Sequence, residues 1–146
     1  MKQALHEAKK AARKGEVPIG AVIVLDNKII ARSHNLKETT ADPTAHAEII
    51  AIQKASKKLK KWRLLNSTIY VTLEPCLMCM GALIQARAPR LVFGSYDPKA
   101  GACGSVYDVS NDRRLNHRIK LTTGIMAAEC EKILKDFFRD LRGSKV

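Results

Sequence analysis

The sequence predicts an α/β fold: a three-layer α/β/α sandwich around a central mixed five-stranded sheet, in one domain spanning residues 1–146. Three observations predict it. Runs of strand character and runs of helical periodicity alternate along the chain, the pattern of a sheet covered by helices. "STIYVTL", "CLMCMGALIQAR" and "LVFGS" read as strand, buried helix and strand with short connections, a βαβ unit whose strands are parallel. An apolar run ending at Leu25, the pair Asp26-Asn27, and "KIIARS" read as an antiparallel hairpin. A sheet that holds both units is mixed.

In chain order, residues 2 to 14 form a first helix with Leu5, Ala8 and Ala12 on one stripe. Gly15 separates it from the hairpin. Residues 44 to about 60 form a second helix that turns basic along its exposed side. The strand 67 to 73 leads into Pro75, which suits a helix start because its missing N–H would be unpaired there. The helix that follows is apolar nearly all round, hence buried, and Ala88-Pro89 turns the chain into the strand 91 to 95. A glycine-rich loop, "DPKAGACGS", precedes a short strand at Ile119 to Leu121. A final helix runs from about 126 to 141, with Ile133, Leu134, Phe137, Phe138 and Leu141 at helical spacing and Gly143 as its stop.

Composition excludes several classes. The longest apolar run, around "CLMCMGALIQA", falls well short of the roughly 20 residues of a membrane span. "MKQALHEAKKAARKGE" has no apolar core of a signal peptide, so a cytoplasmic location is expected. There, four cysteines are metal ligands or buried thiols sooner than disulfides. The net charge of +12, clustered in "KASKKLKKWR", "KKAARK" and Arg113, Arg114, Arg118 and Lys120, favours a polyanionic partner such as nucleic acid.

"TAHAEII", residues 44 to 50, places His46 and Glu48 two positions apart at a helix opening. In mid-helix such residues point about 200° apart, so they share a site only at a helix end. A capping box would pair Thr44 with an acid at 47, which is Ala47. "EPCLMC" sets Cys76 and Cys79 one turn apart at another helix start, where the partial positive charge favours thiolates. Two thiolates and the His46 imidazole make three ligands suited to tetrahedral Zn²⁺, with a fourth place open for water. A thioredoxin-like pair is the redox alternative, and Cys103 would be the fourth ligand of a closed structural site. Neither gives Glu48 a role. Cys130 reads as a core residue; His6, His34 and His117 carry no partner pattern.

Zinc lowers the pKa of its water to about 7, giving hydroxide at neutral pH. Attack of that hydroxide on an amino-bearing ring carbon needs a proton moved from water to the ring nitrogen and another for the departing amine. Glu48, beside the metal but not bound to it, fits both tasks. H-x-E…P-C-x-x-C is the established signature of zinc nucleobase deaminases, matched here by His46, Glu48, Pro75, Cys76 and Cys79.

"DPTAHAEI", "YVTLEPCLMCMGALIQAR", "VFGSYDPKAGACGS" and "ECEKILKDFFR" together resemble the bacterial tRNA-specific adenosine deaminases of the cytidine-deaminase-like superfamily, over essentially the whole chain. The resemblance implies conversion of adenosine to inosine at the wobble position of a tRNA anticodon. It also implies a homodimer whose anticodon site draws on both subunits. Carried over, it gives His46, Cys76 and Cys79 to one zinc ion and proton shuttling to Glu48. It puts Asn35 on the flipped base and Asp97 and Lys99 on the RNA, with Phe138 or Arg139 doing likewise. Each RNA contact has a plainer reading: Asn35 as a turn cap, Asp97 as a turn initiator before proline, and Phe137 or Phe138 as core. Two rival functions share the metal site, a deaminase of free nucleosides or bases (cytidine or guanine) and a non-catalytic zinc module that binds RNA.

Overall fold

A computed structural model describes residues 1–144; Lys145 and Val146, which close the expected domain, lie outside the described residues. Helix α1 (Lys2–Arg13) leads into the hairpin β1 (Gly20–Leu25) and β2 (Lys28–His34). Asp26 and Asn27 both take positive φ, 50° and 60°, as a two-residue hairpin turn of the favoured twist requires and as Asp and Asn tolerate. A single turn of helix, α2 (Lys37–Thr40), precedes α3 (Ala47–Leu59), then β3 (Ser67–Leu73), α4 (Leu77–Gln85) and β4 (Arg90–Ser95). The chain closes with β5 (Lys120–Thr123) and α5 (Ala127–Gly143).

The five strands form one mixed sheet in the order β2-β1-β3-β4-β5. β1 is antiparallel to both β2 and β3, whereas β3, β4 and β5 run parallel. The expected βαβ unit is therefore β3-α4-β4. Side chains alternate across the sheet. Ala21, Ile23, Ile69, Val71, Leu91 and Phe93 belong to the main apolar core, together with Ala47, Ala51 and Ala55 of α3 and Met80, Leu83 and Ile84 of α4. α1 and α5 pack against each other and against the strands. Two glycines let them approach closely. A Cβ on Gly20 would collide with the Ala4 carbonyl, and one on Gly94 would lie 2.8 Å from Thr72 O and 2.9 Å from Cys130 Cβ.

Several boundaries differ from expectation for physical reasons. α3 starts at Ala47, not residue 44, because His46 is its N-cap in extended backbone (φ −78°, ψ 151°) and the Ala47 N–H donates to Asn35 Oδ1 (2.8 Å). α4 ends at Gln85, and Arg87 then takes φ 58°. Gly143 continues α5 instead of stopping it: the cap is Ser144, in right-handed backbone, whose N–H and hydroxyl both donate to Asp140 O. β5 pairs one residue later than the expected 119–121. Among the described residues no helix is long and apolar enough to cross a membrane.

The basic stretch follows α3 out to its far end. From Ile49 to Leu73 the chain holds no acidic residue. A helix of 13 residues is about 20 Å long, so Lys57 to Arg63 sit at the pole opposite His46. There the Arg63 guanidinium lies 4.4 Å from the ring centre of the exposed Trp62.

Candidate active site

Two helix N-termini converge beyond the carboxyl ends of β3 and β4. His46 caps α3, Cys76 caps α4, and Cys79 lies one turn into α4. His46 Nδ1 is 3.6 Å from Cys76 Sγ and 3.5 Å from Cys79 Sγ. Among the described residues these three form the one group of metal-ligating side chains, all ligand atoms lying within 4.8 Å of one another. The spacing suits a tetrahedral ion: with Zn–S near 2.3 Å and Zn–N near 2.0 Å, the N···S edge is about 3.5 Å. Both ligand type and separation fit a divalent zinc-like cation.

The electrostatics of these three side chains point the same way. A hydrogen bond from the Cys79 thiol, with help from His46 and against burial, holds the Cys76 thiol down at about 4. Cys79, donating to Cys76 and buried, is pushed well above the ordinary thiol value. Its hydrogen bond with Cys76, against the cost of burial, raises His46. Two adjacent sulfurs thus share one negative charge, and a cation between them removes that conflict. Glu48, in the first turn of α3, is 4% exposed. Burial lifts its carboxyl above the ordinary range, outweighing the hydrogen bonds it accepts and the His46 charge. It is not a member of the ligand cluster, and its charge acts on Cys79.

Cys103 is buried and outside that cluster, so it is no fourth ligand; burial and the nearby Glu74 push its thiol up to about 12. Cys130 is a core residue against Gly94, as expected. His117 is hydrogen-bonded to Ala88 O (2.7 Å), and His34 to Glu7 (2.8 Å).

A cleft of about 910 Å³ opens beside His46. Asn35, Asp97, Lys99, Phe138 and Arg139, though spread over a hundred residues of sequence, all line it. Their local geometry bears on the plainer readings too. Asn35, with its Oδ1 committed to the Ala47 N–H, does cap a helix, and it has its NH₂ left as the donor to offer the cleft. Asp97 Oδ1 accepts the N–H groups of Lys99 (3.0 Å) and Ala100 (3.3 Å), an Asx turn. Phe138 is 41% exposed at the cleft, and Phe137, half-buried, meets it edge to face at 5.4 Å. Arg139 is tied to Asp136 (3.1 Å) and Asp140 (3.2 Å).

Sequence reasoning missed three groups here. Tyr96, exposed on the cleft, stands edge-on to Phe93 at 5.2 Å. Ser95 lines the cleft with a buried hydroxyl that has no partner among the described residues. Glu74, 2% exposed, sits just ahead of the cysteine motif. Its signal was present: a carboxylate closing an apolar strand is out of place unless something nearby satisfies it.

The MafB19-like deaminase family matches residues 1–142. A tRNA-specific adenosine deaminase of Bacillus subtilis (strain 168) is 50% identical over 145 residues, 99% of this chain and 90% of that protein. The chain belongs to the MafB19-like deaminases, among the tRNA-specific adenosine deaminases. A tRNA-specific adenosine deaminase of Haemophilus influenzae (strain Rd) is 49% identical over 146 residues, covering 99% of this chain and 84% of that protein. A solved tRNA:A34 deaminase, studied for A-to-I editing at the wobble position of transfer RNA, superposes with a TM-score of 0.89 at 44% identity. That match covers 92% of this chain and 97% of the other. The mixed sheet with its flanking helices is thus the cytidine-deaminase-like fold of this deaminase family.

Proposed function

We propose that this chain, as one deaminase domain, converts adenosine to inosine at the wobble position of a tRNA anticodon by hydrolysis. One observation carries the reading: a buried carboxylate, Glu48, stands beside a three-ligand His/Cys/Cys cluster at the edge of a cleft lined by cationic and aromatic side chains. His46, Cys76 and Cys79 would hold one Zn²⁺. Bound there, the ion supplies a Lewis acid that brings a water's pKa to near neutrality.

Glu48 takes a proton from the attacking water and delivers it to the ring nitrogen next to C6. A C–O bond forms at C6 while the ring takes up that proton. Glu48 then passes the second water proton to the amino group, the C6–N bond breaks, and ammonia leaves with hypoxanthine as the base. Its buried setting, which favours the protonated form, suits a group that must hold a proton between these transfers. Asn35 would offer its NH₂ to the flipped base, Lys99 and Arg139, which line the cleft, would meet a backbone phosphate, and Phe138 and Tyr96 would offer ring faces to unpaired bases. Asp97 is free to accept from a sugar hydroxyl with the oxygen its turn does not use. An anticodon loop is already unpaired, which lowers the cost of extruding the base.

A homodimer in the cytoplasm completes the proposal. Leu77, 50% exposed, and Met78, 37% exposed, supply apolar surface at the start of α4, beside the ligands, where a second copy would reach the anticodon.

The test is a side-by-side deamination assay with a tRNA anticodon stem-loop carrying wobble adenosine, and with free adenosine, cytidine and guanine. Inosine in the stem-loop alone supports the reading. Turnover of a free base or nucleoside alone replaces RNA by a small substrate, and no turnover by zinc-loaded protein leaves a non-catalytic module.

A further inference from the structure

Glu74 directly follows β3 and precedes Pro75 and Cys76, yet it is neither in the ligand cluster nor a wall of the cleft. Its main chain donates to Ser95 O (2.8 Å), joining the ends of the two parallel strands. Its carboxylate is used on both arms. Oε1 accepts the Asp97 N–H (2.9 Å) and the Ser105 hydroxyl; Oε2 accepts the N–H groups of Cys103 (2.9 Å) and Ser105 (3.2 Å). All four donors belong to the loop 97–105, and no cation pairs with Glu74 among the described residues. The loop is shaped to receive it. A Cβ on Gly101 would collide with the carboxylate, and the Ala102 N–H donates to Pro75 O (2.9 Å), so loop and ligand segment are laced along their length.

A buried carboxylate with no counter-charge is costly unless hydrogen bonds satisfy it, and here four neutral donors from one loop do so. What the arrangement secures is the position of Asp97 and Lys99, which lie on the cleft side of the same loop. We propose that Glu74 is a positioning residue, fastening the loop 97–105 over the cysteine segment and so setting where Asp97 and Lys99 meet the substrate. The second half of this statement rests on the proposed deaminase reading; the fastening does not. Glutamine cannot substitute, since one arm of its amide is a donor and would face N–H groups. Aspartate is a methylene too short.

Two variants test it from opposite sides, Glu74→Gln and Gly101→Ala, both in zinc-loaded protein. Amide hydrogen exchange needs no substrate: the Asp97, Cys103 and Ser105 amides should exchange at least about 10-fold faster, with α4 amides unchanged. Metal content should stay near one zinc per chain. For the stem-loop, kcat/KM should fall roughly 10- to 100-fold, chiefly through KM. Adding Asp97→Ala to Glu74→Gln should then cost at most about twofold more, because the loop is already displaced. Unchanged exchange in both variants, loss of zinc, or full additivity of Asp97→Ala with Glu74→Gln would each overturn the proposal. If the wild-type protein leaves the stem-loop unreacted, the deaminase reading falls, and the exchange rates alone decide the fastening.

Discussion

Replacing Gly94 by alanine tests whether α5, which carries one wall of the cleft, is seated as closely on β4 as described. The added methyl would lie 2.8 Å from the Thr72 carbonyl and 2.9 Å from Cys130 Cβ, with Cys130 Sγ nearer still. Two of these atoms have no freedom to swing away: one is backbone in the centre of the sheet, the other is fixed to a helix. Relief therefore requires α5 to lift away from the new methyl at Cys130, and β4 to shift against β3 at Thr72, by a few tenths of an ångström or more. Two terms oppose each other. Alanine gains about 0.5–1 kcal/mol over glycine in a strand because less backbone entropy is lost. Overpacking a filled contact costs about 1–3 kcal/mol. The clash wins, with a net loss of about 1–2 kcal/mol, or roughly 3–8 °C in Tm for a chain of this length. Thermal unfolding followed by circular dichroism reads the first effect. The KM for the stem-loop reads the second, since Phe138 and Arg139 move with the helix and KM should rise. Cys130→Ala in the same chain removes only the sulfur contact and should recover part of the Tm. A Gly94→Ala protein as stable as wild type would refute the close seating.

Other outcomes follow from the site and from α1. Glu48→Ala should keep about one zinc per chain while turnover falls by about 10²-fold or more; single-turnover assay beside metal analysis checks it. Cys76→Ser should lose the metal, since two remaining ligands do not close a tetrahedral site; full occupancy by metal analysis would mean the ligands are misassigned. Glu7, buried, is held below the ordinary glutamate range despite burial by hydrogen bonds to Lys10 and His34 and by their charges. A depressed folded pKa gives stability that is present above the unfolded value, 4.5, and lost as pH falls through the folded one. Glu7→Gln should therefore flatten the loss of urea stability below about pH 4.5, while an unchanged acid limb would assign it to other carboxylates.

What could be read from the sequence was whatever depends on neighbours in sequence. The Asp26-Asn27 turn, the apolar helix after Pro75 and the one-turn spacing of Cys76 and Cys79 each declare themselves within a few residues. His46 and Glu48 were legible as a site because the spacing makes no sense in mid-helix. The start of α3 was not legible, since its first free N–H is met by Asn35, twelve positions upstream. Glu74 stood out as a carboxylate after an apolar strand, but its partners were hidden for the same reason: they lie 23 to 31 residues away. Gly143 misled because a glycine stop depends on a left-handed turn, which the chain does not take there. Phe138 followed the helical stripe of α5 yet faces the cleft, as periodicity tells which residues share a side and not what that side meets.

The order of these partners along the chain has a consequence for synthesis. A polypeptide emerging from its amino end presents the His46 imidazole first, and 30 residues must follow before the Cys76 sulfur can join it. Asn35 is already out by then, so the helix that aims His46 can be capped in the nascent chain. Glu74 stays without its four donors until Ser105 has appeared. The residues of α5 that flank the cleft come after all of these, as does Cys130, which packs on Gly94. A growing chain thus presents His46, Cys76 and Cys79 before it has made the helix that lines the far side of the cleft.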